Sequence, residues 1–162
     1  MKRSELLAMS PTEIFLARSI EYCNDLDVLD WARSSPQLHG FVDADDAYEL
    51  LTINSKRADQ LRQVPVVLEN LIRKYAPNFH LSDPSAEAKA RALFEARLRD
   101  YVDESCRPWD VCSMVSPIEQ LFDYPDWLGN MYNLCDWLGP STEPVDCRHL
   151  MDGIKAHLSE LS

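Results

Sequence analysis

The sequence predicts an all-α protein, an irregular single-domain bundle of about six to eight helices over residues 1–162, with several short proline-initiated helices in the C-terminal third. Leu outnumbers Val plus Ile by 21 to 15, Thr occurs three times, and no segment keeps up strict apolar-polar alternation, so strands have little to build on. Apolar residues recur instead at steps of three and four, the spacing that lines one face of a helix. Pro11, Pro84, Pro108, Pro117, Pro125 and Pro144 each stand where they fit the first turn of a helix, in which the missing N–H has no intrahelical partner to lose.

The first helix opens on Ser10 as N-cap, Pro11 with its φ already set, and Glu13 as the acid of a capping box. It runs to about Asn24 or beyond, striped by Phe15, Leu16, Ile20, Tyr22, Cys23, Leu26 and Leu29, and Trp31 ends the pattern before Ser34-Ser35-Pro36. After a loop through Gly40, Asp43 can cap a short helix over 45–53 and Ser55 the next one. That next helix carries Leu61, Val64, Leu68, Leu71, Ile72 and Tyr75, and Pro65 within it predicts a kink or two abutting helices. Pro77 ends it. Ser82 or Asp83 with Pro84 opens the clearest helix, about 85–103, which is rich in Ala and striped by Leu93, Phe94, Leu98 and Tyr101. Four short helices follow, at about 108–116, 117–122, 125–138 and 144–161. Gly139-Pro140 stops the third, and Cys147, Leu150, Met151, Ile154, Leu158 and Leu161 stripe the last.

Sixteen Lys and Arg face 27 Asp and Glu, a net charge of −11. Such a surface repels a phosphate backbone, and no basic stripe offsets it, so nucleic acid is not the expected partner. With only Gly40, Gly129, Gly139 and Gly153, no Gly-rich phosphate loop can form. No apolar run is long enough for a membrane span, and the start is too short in apolar residues for a signal peptide. The five cysteines, Cys23, Cys106, Cys112, Cys135 and Cys147, are odd in number and irregularly spaced. They read as reduced thiols, which agrees with the cytosolic reading that the missing membrane span and signal peptide give.

Metal and catalytic patterns are weak. No Cys-x-x-Cys exists, and Asp146 with His149 is the only carboxylate-imidazole pair at helical spacing, half of what a di-iron bundle needs. The acidic clusters Asp25, Asp27, Asp30 and Asp43, Asp45, Asp46, Glu49 lack the glycine and the bidentate Glu of a calcium loop. Cys147 and His149 point about 200° apart on a helix and form no dyad together. No metal, cofactor or catalytic residue is assigned, and the chain is not read as an enzyme.

One pattern stands out: every tryptophan has an aspartate neighbour, as Asp30-Trp31, Trp109-Asp110, Asp126-Trp127 and Asp136-Trp137. The last two begin a repeated Asp-Trp-Leu-Gly in a segment that also holds Asp123, Tyr124, Met131 and Tyr132. On one helix a ten-residue offset places the two tryptophans on adjoining faces, one buried and the other near the rim. The plain reading is Trp as core and Asp as helix cap. The sharper one is an acidic-aromatic surface that receives Lys and Arg side chains. Charge distribution supports the sharper reading: residues 19–54 carry −7 and residues 105–147 carry −6, whereas 55–75 carry +3. The expected function is therefore that of a small acidic binding protein that neutralises or regulates a basic protein partner, most concretely an immunity protein or antitoxin blocking a toxin. Its expected contact residues are Asp110, Asp123, Tyr124, Asp126, Trp127, Asp136 and Trp137, with Asp43, Asp45 and Asp46. The alternatives are an enzyme or ligand-binding bundle using Tyr22, Tyr132, Cys135 and His149, and a scaffold subunit of a larger complex.

Overall fold

The computed structural model describes residues 3–141 and 147–160. Among them are ten α-helices of five residues or more, two single-turn helices, one 3₁₀ turn, and no strand. In chain order the helices are α1 (Arg3–Ala8), α2 (Pro11–Ser19), α3 (Asp25–Ser34), α4 (Pro36–His39), α5 (Ala44–Leu51), α6 (Ala58–Leu61), α7 (Val64–Tyr75), α8 (Pro84–Val102), α9 (Pro108–Cys112), α10 (Val115–Phe122), α11 (Met131–Cys135) and α12 (Arg148–Glu160).

The all-α expectation holds, and the count exceeds six to eight because local signals cut helices that periodicity runs together. The expected first helix is divided at Glu21, whose φ is 58°, and Asn24 then caps α3 by accepting from the Leu26 and Asp27 N–H groups. Pro65 sits at the start of α7 and leaves α6 as a separate turn, the second of the two outcomes expected there. The expected 125–138 helix is a 3₁₀ turn, Asp126–Leu128, and the short α11, parted by Gly129 at φ 56°. The expected start of the last helix at Pro144 and its end at Leu161 lie outside the described residues, as does Asp146.

The chain divides into two compact units, one of residues 1–19 and 23–83 and the other of 20–22 and 84–162. In the first, α2, α3, α5 and α7 pack on one another. Their apolar faces bury Ile14, Leu16, Val28, Leu29, Leu50, Leu68 and Ile72. Trp31 is wholly buried, its Nε1 donating to the Met9 carbonyl at 3.0 Å. In the second, α8 packs on α9 and α12, and α11 packs on α9, α10 and α12. Arg97 of α8 is buried there, donating to the Tyr22 carbonyl at 2.6 Å and stacking on its ring at 4.6 Å, while its Nε has no partner.

The cysteines correct the reduced-thiol reading in part: Cys112 and Cys135, with Cα atoms 5.2 Å apart, form a disulfide, whereas Cys23, Cys106 and Cys147 are reduced. The pair is 23 residues apart and is brought together by the packing of α9 on α11, which no sequence spacing reveals. The disulfide removes one support of the cytosolic expectation, the reduced cysteines, and leaves the reading from the signal peptide where it was. Among the described residues no helix is long and apolar enough to cross a membrane.

Candidate functional site

The ten residues expected to meet a partner separate into those committed inside the protein and those presented to solvent. Asp43 and Asp46 are committed. Tyr75 shares its hydroxyl proton between the two carboxylates, and Lys74 Nζ lies 2.5 Å from Asp46. The hydrogen bonds from Lys74 and then Tyr75 hold the Asp46 carboxyl below its ordinary range. Asp43 precedes α5 but its side chain caps nothing there, because it is turned to Tyr75. Asp45 is exposed.

Asp110 is committed as well. Its carboxylate accepts from the Arg107 N–H at 2.9 Å and from the Arg107 guanidinium at 3.1 Å. Burial pushes this carboxyl up, and those two hydrogen bonds more than offset it, leaving it below the usual value. Trp127 is half-buried: Nε1 donates to Glu87 at 2.9 Å, and the ring lies 6.2 Å from that of Phe94. This tryptophan anchors the 3₁₀ turn to α8.

Asp123, Tyr124, Asp126, Asp136 and Trp137 face solvent. Asp123 ends α10 in the left-handed conformation, and Tyr124 repeats it at φ 57°; both backbone N–H groups return to the Glu119 carbonyl. This double left-handed step throws the Tyr124 ring outward, where it is 71% exposed. Trp137 is 45% exposed, with one side 4.5 Å from the His149 ring. Tyr132 of α11, half exposed, adds a third aromatic between the two. Among the described residues no cation pairs with Asp123, Asp126 or Asp136. Glu119 is buried, and burial raises its carboxyl above the ordinary value.

The expected division of the two repeat tryptophans is met in part: Trp127 is half-buried rather than buried, and Trp137 is exposed. The cause differs: Trp127 belongs to a 3₁₀ turn and Trp137 follows α11, so no single helix relates them. Of the residues weighed for an internal catalytic site, Cys135 is in the disulfide, Tyr22 lies under Arg97, and His149 is exposed beside Trp137. Among the described residues no three His, Cys, Asp or Glu side chains are placed to hold a metal ion.

Sequence reasoning missed His157, Glu160 and Asn130, which line a cavity beside this segment. In the sequence they are separated by nearly thirty positions, and only the packing of α11 on α12 unites them. No family model, curated protein or solved structure matches the chain, and its functional reading rests on geometry and charge.

Proposed function

We propose that the protein binds a basic protein partner through residues 123–137, and that it acts as an inhibitor of that partner in the manner of an immunity protein or antitoxin. The observation that carries this is the alternation, on one short segment, of unpaired exposed carboxylates (Asp123, Asp126, Asp136) with exposed rings (Tyr124, Tyr132, Trp137). Exposed rings supply contact area at low entropic cost and favour cationic side chains over their faces. Unpaired carboxylates around them speed encounter with a basic surface and select against acidic ones. The second unit holds fifteen Asp and Glu against seven Lys and Arg, a net −8 of the −11. Asp43, Asp46 and Asp110, being held by internal partners, leave the contact set.

The test is capture and inhibition. Tagged protein recovered from its native cell should hold one basic protein in near-equal amount, and adding the purified chain should suppress that protein's activity. Recovery of the chain alone, from low to physiological salt, would sink the reading.

A further inference from the structure

In the second unit, α11 and α12 from Gly153 to Glu160 border an open cavity of about 170 Å³. Met131, Leu134 and Ala156 give it an apolar wall, and Asn130, His157 and Glu160 a polar one. His157 is 9% exposed, and its Nε2 has no hydrogen-bond partner. Leaving such a buried polar atom unpaired costs about 1–3 kcal/mol. Glu160 is exposed, and no described cation pairs with it. An orphan imidazole nitrogen and an unpaired carboxylate on the same wall favour a guest that is cationic and rich in N–H donors.

Given the partner-binding reading above, on which it rests, we propose that this cavity receives an arginine side chain of the basic partner. Its guanidinium meets the Glu160 carboxylate and the His157 imidazole, and its methylenes lie against Met131, Leu134 and Ala156. The cavity is continuous with the acidic-aromatic segment. Gly129, last residue of the first Asp-Trp-Leu-Gly, has φ 56°, and a Cβ there would stand 3.2 Å from His157 Nδ1, so this loop packs directly on the imidazole. Asn130 and Met131 follow it, and Leu134 lies two residues before Asp136.

Size and chemistry both select arginine. A cavity of about 150 Å³ holds benzene, and a guanidinium with its two nearest methylenes has the same number of heavy atoms as that ring. The planar fork can engage a carboxylate with two N–H groups and still present others to the imidazole, which the compact, strongly hydrated ammonium of lysine does less well. An anion would face Glu160, and an apolar guest would leave both Glu160 and His157 unpaired. Nε2 lies beneath the cavity surface, so engaging it requires the His157 ring to turn, a side-chain change of the kind common at interfaces.

The test uses the full chain, isotope-labelled and titrated with N-acetyl-arginine amide, its uncharged isostere N-acetyl-citrulline amide, and N-acetyl-lysine amide. The arginine probe should bind saturably with a Kd of about 1–10 mM, shifting the His157 ring and Gly129 and Asn130 amide resonances. Lysine should bind about threefold more weakly, and citrulline should give no saturation. Glu160→Gln should weaken the arginine probe by about threefold to tenfold without moving the thermal midpoint. Equal binding of arginine and citrulline, or no His157 shift across that concentration range, overturns the proposal. A basic partner held equally by wild type and Glu160→Gln defeats the cavity and spares the surface; arginine binding with no basic partner retained spares the cavity and defeats the surface reading.

Discussion

Tyr124 bears a bulky side chain on left-handed backbone, directly after Asp123 in the same conformation. For a residue with a Cβ this conformation costs about 1–2 kcal/mol, and glycine would avoid it. The ring is too exposed to offset that cost by packing. Tyr124→Gly should therefore raise stability by about 1 kcal/mol in urea unfolding while weakening partner capture; an unchanged partner affinity would remove Tyr124 from the surface. His157 makes a different test. Burial lowers its pKa below the ordinary histidine value, with Glu160 of its own helix and Glu95 of α8 opposing the shift and Arg91 of α8 adding to it. The unfolded chain then takes up this proton before the folded one, so stability is lost as pH falls from about 6.5 through the lower folded value. The slope from one site is at most about 1.4 kcal/mol per pH unit. Denaturation measured between about pH 7 and pH 5 should show the loss in wild type and a flatter profile in His157→Gln.

At the scale of elements, what could be read from sequence is what neighbouring residues decide. Ser10 and Glu13 form the reciprocal cap expected of them, Glu13 N–H to Ser10 Oγ at 3.3 Å and Ser10 N–H to Glu13 Oε2 at 2.8 Å. Pro84 and the Ala-rich stretch after it give α8 within a residue of its expected bounds. Residues 125–138 read as one helix because their apolar spacing is helical, whereas Gly129 takes a backbone conformation that ends any helix. Asp43 and Asp46 looked like solvated acids because Tyr75 and Lys74, about thirty positions away, are brought to them by the packing of α5 on α7. The Cys112–Cys135 pair was hidden for the same reason. Its consequence is local. α11 has five residues, too few to stand alone, and the disulfide ties it to α9. Replacing both cysteines with serine should cost about 3 kcal/mol, the scale for closing a loop of this size. Amide exchange should quicken first at 131–135, measured under conditions where the rest stays folded; uniform quickening would show that the bond steadies the whole unit instead.

For the whole molecule, the uneven charge matters more than its total. The first unit is close to balance, with twelve acids against nine Lys and Arg, whereas the second carries −8. The proposed basic partner would meet a field concentrated on the unit that holds residues 123–137, and such fields act on the association rate. Asp123→Lys, Asp126→Lys and Asp136→Lys together change the net charge from −11 to −5. None of these three carboxylates takes part in an ion pair among the described residues, so circular dichroism and the thermal midpoint should barely move. The association rate with the basic partner should fall by about tenfold or more at low salt, and the gap from wild type should narrow toward physiological salt, as screening shortens the reach of the field to about 8 Å. Dissociation should change less, since rim charges act mainly before contact. Asp43→Lys with Asp46→Lys supplies the control. It alters charge in the first unit and removes the carboxylates that accept from Lys74 and Tyr75, so it should lower stability and leave the association rate nearly as it was. If that pair slows association as much as the triple variant does, the partner is attracted by total charge, and residues 123–137 are no more than acidic turns on a folded bundle.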